Sequence, residues 1–305
     1  MAKDKNPRQR NFPGKKPDRI ASFKVEQESQ LLTFLIASLN DKSRTTIKSY
    51  LAHNQIAVDG RAERQFDRPL NPGDTVSVNF DNSFYEFRNP QLRIVYEDND
   101  IIVIDKASGL LSMATDQIKD KTAYRIISDY LKRKDIKSRL FILHRLDRDT
   151  SGLMMFAKSL EVQAKMQANW DNMILRRNYI AVVEGRLENP EGEIKSFLAE
   201  NSAMNVYSTT PELGKLAITR YRTIQTAGKY SLLEFDLLTG RKNQIRVHMK
   251  DNGTPIAGDK KYGAKSNPSG RMLLHANRLN FVHPTTGEKL LFETGVPTKF
   301  KAVFR

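Results

Sequence analysis

The chain has 305 residues and a formal net charge of +15, from 50 lysines and arginines against 35 aspartates and glutamates. That length allows a sizeable core and two domains, since domains usually hold about 100 to 200 residues, and the positive charge favours a polyanionic partner, nucleic acid or an acidic membrane surface. The absence of cysteine excludes disulfides, a thiolate nucleophile and a zinc–cysteine cluster, and the five histidines are scattered, so we expect no metal site.

The first 20 residues are predicted to form a disordered basic arm. Residues 1–19 hold seven basic and two acidic residues with prolines between them. Such an arm either solubilises the protein or binds phosphates without sequence preference, and both interpretations stay open. The arm has no apolar stretch that could act as a signal sequence, and no segment approaches the roughly 18 apolar residues of a membrane span. We therefore expect a cytoplasmic protein.

Residues 21–82 are predicted to form a small α/β domain that begins with two amphipathic helices. Their apolar residues recur at helical spacing; they are Leu31, Phe34, Leu35 and Leu39 in the first helix and Ile47, Tyr50 and Leu51 in the second. Ser43 can cap the second helix, and Arg44 and Lys48 stand one turn apart on its outer side.

Two turn signals follow the helices. Residues 56–61 predict a strand with a tight turn at Asp-Gly, and residues 70–74 predict a loop before another strand. With its Ser-Arg helix start, this segment resembles the RNA-binding domain named after ribosomal small-subunit protein four. The resemblance implies that Ser43, Arg44, Lys48 and the first turn face RNA phosphates. The alternative is that the two basic residues belong to a solvated helix face.

Residues 83–90 are polar and end in proline, which predicts a linker. Beyond it, residues 91–305 contain many strand-like segments; they are Arg93–Tyr96, Ile101–Ile104, Leu153–Ala157, Tyr179–Val183, Ile218–Ile224, Leu232–Leu238, Leu273–His275 and Leu279–Phe281. Helical patterns are fewer; they run through Ile126 and Leu131, through Val162, Met166 and Trp170, and through Ile245 and Met249. This balance predicts an α+β domain with a largely antiparallel mixed sheet flanked by helices.

A polar cluster interrupts the strand-rich region. Residues 144–152, with the sequence His-Arg-Leu-Asp-Arg-Asp-Thr-Ser-Gly, lie between two apolar runs, which predicts a loop held between buried segments. Rigid flanks around a polar loop suit a preorganised site. On residue types alone, Asp147 is as well explained by a helix cap or by an ion pair with Arg145 as by catalysis.

The same cluster resembles the signature of the RluA-type pseudouridine synthases, which is His-Arg-Leu-Asp, two variable residues and Thr-Ser-Gly. Three further family motifs have counterparts in order, at residues 177–181, 239–248 and 255–263. The resemblance extends over about residues 92–305. Asn243 stands where many members have histidine, and Ala107 stands where a proline is usual.

The resemblance implies an enzyme that isomerises uridine in structured RNA to pseudouridine through the Asp147 carboxylate. The carboxylate either attacks the anomeric carbon or removes a ribose proton, and the sequence leaves both routes open. Arg246 is expected to pair with Asp147 and hold it ionised. Tyr179 is expected to pack against the uracil and to help deprotonate the ring carbon; on residue type alone it is a core residue.

Other roles follow from the same resemblance. Arg145 is expected to fill the gap that the extruded base leaves in the RNA, unless it pairs with Asp149. Ile245 is expected to line the base pocket, and His144 to act as a hydrogen-bonding scaffold. The reaction needs no cofactor, and we expect a monomer whose RNA partner is ribosomal RNA first and transfer RNA second.

Two rival functions remain at this stage. The first is a non-catalytic RNA-binding or ribosome-assembly factor, which would use the basic arm and the small domain. The second is a glycosidic-bond hydrolase, which would share the carboxylate but release free uracil.

Overall fold

A computed structural model of the protein describes residues 19–81, 83–84 and 87–305. The chain divides into two compact units. The first holds the described residues up to 84 together with Arg133–Ile136, and the second comprises Phe87–Lys132 and Lys137–Arg305.

The structure describes only the last two residues of the predicted basic arm, residues 1–20. Its first 18 residues lie outside the described residues, whereas Ile20 already begins the first strand. Within the described ranges, the helices are all too short or too polar to cross a membrane.

The first unit contains six short strands and two helices. In chain order they are β1 (Ile20–Lys24), β2 (Ser29–Gln30), α1 (Leu31–Ser38), α2 (Arg44–Ala52), β3 (Ile56–Val58), β4 (Arg61–Ala62), β5 (Pro69–Leu70) and β6 (Thr75–Asn79). Four strands form an antiparallel sheet in the order β1-β6-β3-β4, and β2 pairs with β5. Both predicted helices are confirmed, and their apolar faces are buried against the sheet, with Leu35 and Ile47 fully enclosed.

Two local features of this unit also agree with the sequence. The extended backbone of Ser43 precedes α2, and its Oγ accepts a hydrogen bond from the Thr46 amide at 3.1 Å, which confirms the predicted cap. Asp59 and Gly60 have φ values of 51° and 75°, so β3 and β4 are joined by a turn with two left-handed residues.

The second unit contains the remaining elements. In chain order they are β7 (Leu92–Glu97), β8 (Ile101–Lys106), α3 (Ala123–Lys134), β9 (Phe141–Ile142), β10 (Ser151–Ala157), α4 (Leu160–Ala168), α5 (Trp170–Met173), β11 (Ile174–Glu184), β12 (Glu191–Glu200), β13 (Val206–Thr209), β14 (Lys215–Ala227), β15 (Tyr230–Leu237), α6 (Gln244–Asp251), β16 (Leu274–Val282), β17 (Lys289–Glu293) and α7 (Thr298–Lys301). Short 3-10 turns cover Lys260–Tyr262 and Ala302–Phe304. The last residues of α3 cluster with the first unit.

One large sheet organises the second unit. Its main path is β13-β12-β14-β15-β11-β16-β10-β8-β7, with β17 beside β16 and β9 beside β10. The pairing of β10 with β16 is parallel, and the other pairings of named strands in this sheet are antiparallel. The predicted α+β class with a largely antiparallel sheet is therefore confirmed.

The strand predictions were incomplete where a strand is exposed to solvent or polar in its middle, because such a strand lacks the regular alternation of apolar and polar residues. β12 is mostly exposed and polar, so it lacks the apolar alternation that marks a strand. β16 was predicted as two segments, Leu273–His275 and Leu279–Phe281, because polar residues separate its apolar ends. Those polar residues are Asn277 and Arg278. Arg278 pairs with Asn178 of β11 and with Glu293 of β17, whereas Asn277 lies at a register shift against β11.

Strand β10 is the centre of the core. All seven of its residues are buried, and Leu153 and Met155 pack with residues of β8, α4 and β17. At its start, Gly152 has φ +115°, and a Cβ atom there would lie 2.2 Å from the Ala276 carbonyl oxygen. The parallel contact between β10 and β16 therefore requires glycine.

We expect Gly152→Ala to lower the free energy of unfolding by about 3 kcal/mol or more, because backbone strain and a steric clash add. Gly287→Ala is the matched control, since Gly287 has φ +73° but open space around it, and strain alone costs about 1 to 2 kcal/mol. Denaturant unfolding followed by the fluorescence of the single tryptophan, Trp170, measures both losses. Equal losses would contradict the close-approach explanation.

Candidate active site

The polar cluster predicted as a loop is found between β9 and β10, and its main chain is pinned by neighbouring side chains. The Ser112 hydroxyl donates to the Leu146 carbonyl at 2.6 Å and accepts from the Leu146 amide at 3.1 Å. The Ser108 hydroxyl donates to the Asp149 carbonyl at 2.7 Å. These bonds fix the backbone on both sides of Asp147 without engaging its carboxylate.

Lys106, at the end of β8, adds a buried cation to this framework. Its Nζ donates to the carbonyls of Leu110 at 2.7 Å, Ala107 at 3.1 Å and Arg148 at 3.1 Å. Burial lowers the pKa of Lys106 to about 8, while the charges of Asp147 and Asp149 oppose the fall. The lysine thus holds the loop of Asp147 by its main chain and contributes positive charge near that carboxylate.

His144 is engaged as a scaffold. Its Nε2 accepts a hydrogen bond from the Met155 amide at 3.1 Å. Burial lowers the pKa of His144 to about 3, with Arg177 adding to the effect, so the ring is neutral at ordinary pH. A neutral imidazole whose Nε2 already accepts a backbone hydrogen bond is a poor base, and this contact is compatible with the scaffold role expected from the sequence.

Asp147 presents its carboxylate to Arg246. Its Oδ2 lies 3.6 Å from Arg246 Nη1, and its side chain is 30% exposed. Burial raises the pKa of Asp147 above its ordinary value, and the charges of Arg246 and Lys106 partly counteract that rise. The structure therefore brings together the two residues that the sequence paired.

Arg246 makes its strongest contacts elsewhere. Its Nε and Nη2 donate to the two carboxylate oxygens of Asp259 at 2.7 and 2.8 Å, and its Nη1 donates to Asn243 Oδ1 at 3.0 Å. Its guanidinium also stacks over Tyr262, with Cζ 4.8 Å from the ring centroid. Burial alone lowers the pKa of Arg246, but the hydrogen bonds and charge of Asp259 outweigh it and the pKa is raised.

Helix α6, which carries Arg246 and Ile245, is anchored by a polar network. Gln244 Nε2 donates to the Ile218 carbonyl at 3.0 Å and to the Thr219 hydroxyl at 2.9 Å. His248 bonds Thr219 through Nδ1 at 2.9 Å and the Ser196 hydroxyl through Nε2 at 2.9 Å. Burial lowers the pKa of His248 to about 4, so this network stays neutral.

A small pocket of about 60 Å³ collects most of the predicted site residues. Asp147, Tyr179 and Arg246 line it together with Arg145 and Ile245. Tyr179 and Ile245 are buried, at 9% and 3% exposure. Burial raises the pKa of the Tyr179 phenol; Arg177 opposes the rise and Asp147 adds to it. The phenol is therefore protonated at neutral pH.

Beside this pocket lies a cleft of about 800 Å³, which His144, Arg145 and Asp147 also line. Arg145 is exposed, and its Nη1 approaches Met113 Sδ at 3.5 Å. The alternative ion pair between Arg145 and Asp149 is not formed, because Asp149 pairs with Arg148 at 3.2 Å.

The remaining predicted residues belong to the first unit. Ser43 caps α2, and Arg44 and Lys48 are exposed on that helix. Within the described part of the chain neither Arg44 nor Lys48 has a carboxylate within 4.0 Å. The structure describes them as solvent-facing cations in a separate unit.

Sequence reasoning missed the residues that support the site. Asp259 and Tyr262 were included only as members of the motif at residues 255–263, and Lys106 was given no role. The sequence signal that could have identified these residues is the presence of charged residues in motifs that lie far apart in the chain. Their roles depend on contacts across 13 residues for Asp259 and across 42 for Lys106.

Among the described residues, Asp98, Asp100 and His283 are the group whose ligand atoms lie close enough to hold a metal ion. His283 Nδ1, however, accepts the amides of Thr285 and Thr286 at 3.3 and 3.1 Å. Its Nε2 therefore carries the proton and donates to Asp98 at 2.9 Å. This arrangement fits a turn-stabilising histidine rather than a metal ligand.

Known sequences share the elements that build this site. A family model described as RNA pseudouridylate synthase matches residues 100–251, which run from β8 to α6. The uncharacterized RNA pseudouridine synthase YlyB of Bacillus subtilis is 34% identical over 285 residues, covering 91% of the chain and 94% of that protein. The ribosomal large subunit pseudouridine synthase D of Vibrio cholerae is 32% identical over 294 residues, covering 90% of each.

Solved structures share the fold. Human RNA pseudouridylate synthase domain containing 4 superposes with a TM-score of 0.56 at 21% identity, over 68% of the chain and 90% of that structure. Human RNA pseudouridylate synthase domain containing 1 gives a TM-score of 0.54 at 24% identity, over 70% and 87%. The chain belongs to the family of RluA-type RNA pseudouridine synthases, the isomerases that convert uridine in RNA to pseudouridine.

Proposed function

We propose that Asp147 is the catalytic carboxylate and that the enzyme acts on uridines of ribosomal RNA. The observation that carries the assignment is the pair of Asp147 Oδ2 with Arg246 Nη1 at 3.6 Å in a pocket that Tyr179 and Ile245 also line. A carboxylate, a fixed cation and apolar walls for a flat base meet there.

The reaction defines what the carboxylate must do. The bond from the anomeric carbon to the base nitrogen breaks, with its electron pair going to the uracil. A carbon of the uracil ring then bonds the anomeric carbon. The proton of this ring carbon is replaced by a proton on the freed nitrogen, so the product has the same atoms and electrons as the substrate. Whether Asp147 attacks the anomeric carbon or removes a ribose proton, it acts in its ionised form. Because the isomerisation is redox-neutral, we propose that it needs no cofactor.

The remaining pocket residues act on the base and the RNA. Ile245 and the Tyr179 ring hold the uracil, and the Tyr179 hydroxyl relays the proton that leaves the ring carbon. A phenol with a raised pKa suits a relay better than a free base. Arg145, exposed and without a carboxylate partner in the described chain, fills the gap that the extruded uridine leaves.

The choice of ribosomal RNA rests on relatives. Proteins named ribosomal large subunit pseudouridine synthase D from Vibrio cholerae and Vibrio parahaemolyticus are 32% and 31% identical and match at least nine-tenths of the chain. We therefore propose large-subunit RNA as substrate, with transfer RNA as the second candidate. Mapping pseudouridine across all RNA in a strain that lacks the gene identifies the target, and a loss confined to transfer RNA would decide against ribosomal RNA.

We also propose that the first unit binds RNA phosphates. Support comes from the capped start of α2, the exposed and unpaired Arg44 and Lys48, and the left-handed Asp59-Gly60 turn.

Asp147→Asn is expected to lower kcat by at least about 10⁴-fold, because no carboxylate remains to act on the ribose. The measurement is tritium release from RNA labelled on the uracil carbon that forms the new bond, with chromatography for free uracil. Asp149→Asn is the matched control, since it removes the same charge from the same loop and should retain activity. An active Asp147→Asn enzyme would sink the assignment, and free uracil would identify a hydrolase.

The pH profile tests the ion pair. Because burial raises the pKa of Asp147, we expect kcat/KM to fall as pH drops through a midpoint above the ordinary aspartate range. In the double variant Arg246→Gln, Asp259→Asn, which removes both charges of that pair and leaves Asp147 without this cation, that midpoint should rise by on the order of one pH unit. Arg148→Gln, which removes an exposed cation, should leave the midpoint in place. A midpoint that falls in the double variant would contradict the proposed role of Arg246.

Arg44→Gln with Lys48→Gln should reduce the slope of log affinity against log salt by about 1.5, as expected for two lost phosphate contacts. The control is Arg19→Gln with Arg68→Gln, because these cations already pair with Asp81 at 2.9 Å and Glu63 at 2.6 Å. Filter binding of large-subunit RNA at several salt concentrations measures both. Equal slopes in the two double variants would remove the support for RNA contact by α2.

A further inference from the structure

The cleft beside the uridine pocket is larger than one extruded base requires. Its volume of about 800 Å³ compares with about 60 Å³ for the pocket around Asp147 and Tyr179. Five cationic side chains and two carboxylates line it. Its charge suits RNA, and its size leaves room for at least one more nucleotide.

The single tryptophan of the chain lies in this cleft. The sequence placed Trp170 on the same helix face as Val162 and Met166, but α4 ends at Ala168 and Trp170 starts the separate short helix α5. The indole is half-buried: one side packs against the core that includes Met166, and the ring still lines the cleft. The break between the helices thus ends the helical pattern before Trp170, whose ring offers an aromatic surface to the cleft.

Arg177 extends this surface. Its Cζ lies 5.9 Å from the centroid of Trp170, and a Cβ atom on Gly240 would lie 2.5 Å from its Nη1. The guanidinium is therefore fixed between Gly240 and the indole. In the part of the chain that the structure describes, Arg177 has no carboxylate within 4.0 Å, so its charge is not neutralised by the protein.

His144 supplies a hydrogen-bond donor at the same place. Its ring centroid lies 5.8 Å from that of Trp170. Because Nε2 accepts the Met155 amide, the proton of the neutral ring sits on Nδ1. Nδ1 has no hydrogen-bond partner among the described residues, and His144 lines the cleft.

We propose that Trp170, Arg177 and His144 form a second nucleotide subsite, which holds a base adjacent to the target uridine. The subsite rests on the proposed function and deepens it. Extrusion of the uridine removes a stacking partner from its neighbour, and an aromatic ring with a guanidinium plane replaces that partner. The Nδ1–H of His144 then donates to an acceptor on the edge of the base.

A subsite for phosphate alone is the competing use of the same cleft. Arg177 would serve it, but Trp170 would add nothing to phosphate binding. The two uses differ in whether the indole senses a base, and the natural fluorescence of Trp170 reports this directly.

The first experiment uses the full-length Asp147→Asn protein, which binds RNA without turnover. It is titrated with single-stranded RNA of about 12 nucleotides, and separately with an abasic ribose-phosphate oligomer of the same length. Both carry the same phosphate charge, so electrostatic binding is matched. We expect tryptophan quenching by the RNA and little quenching by the abasic oligomer at saturation. Equal quenching, or none by either, would overturn the subsite.

The second experiment measures affinity by anisotropy of fluorescein-labelled RNA. Stacking of one base predicts a loss of roughly 5- to 150-fold for Trp170→Ala, and Trp170→Phe should recover most of it. The control is Tyr207→Ala, which removes an exposed aromatic residue outside the cleft. Thermal unfolding confirms that each variant is folded. If Trp170→Ala binds like the parent protein, or if Trp170→Phe is as weak as Trp170→Ala, the subsite is wrong.

Turnover separates the two proposals. Tritium release by the wild-type enzyme tests the proposed function, whereas the binding measurements test the subsite without catalysis. Pseudouridine formation without base-dependent quenching would remove the subsite alone. Base-dependent quenching without pseudouridine formation would support the subsite and remove only the catalytic assignment.

Discussion

The buried fork between Arg246 and Asp259 is the interaction on which the site depends. Asp259 is 2% exposed and accepts hydrogen bonds from two of the guanidinium nitrogens. These charge-assisted hydrogen bonds offset the desolvation cost of burying the two charges. The fork also fixes the direction of the third nitrogen, Nη1, which points to Asn243 and to Asp147. A lone arginine on α6 could adopt many rotamers, but one held at both Nε and Nη2 cannot. The position of the cation beside Asp147 is therefore decided by a carboxylate that does not touch the pocket.

The loop that carries Asp147 is likewise held by residues that do not contact the Asp147 carboxylate. Lys106, Ser108, Ser112 and His144 all bond to main-chain atoms of the loop or of β10. Their bonds remove backbone freedom but leave the Asp147 side chain available to a substrate. Gly152 completes the restraint, because its close approach to Ala276 sets where the loop enters the sheet. Preorganisation of this kind places the Asp147 charge without using its carboxylate to hold the loop in position.

Local signals were enough for part of this picture. Residues that are close in sequence were enough to predict four features: the Ser43 cap, the turn at Asp59-Gly60, the antiparallel character of the sheet and the loop at residues 144–152. The pairing of Asp147 with Arg246 came from resemblance, since nothing in residue spacing relates two positions that far apart. The partners Asp259 and Lys106 were missed because their roles arise only from long-range contacts. Trp170 was misplaced because helical periodicity cannot reveal where a helix breaks.

Burial raises the pKa of Asp147, and nearby positive charge lowers it. The exposed cations Arg145 and Arg241 line the cleft, where their charge favours an anionic ligand. In the proposed complex, the RNA bases exclude water from the site, and this further burial raises the pKa of Asp147. Arg246 is 8% exposed, and Asp259 and Asn243 hold its guanidinium where it lines the pocket. Lys106 is also buried, and with a pKa of about 8 it is largely charged at neutral pH. In the proposed mechanism, the charges of Arg246 and Lys106 favour the ionised form of Asp147 that the reaction requires.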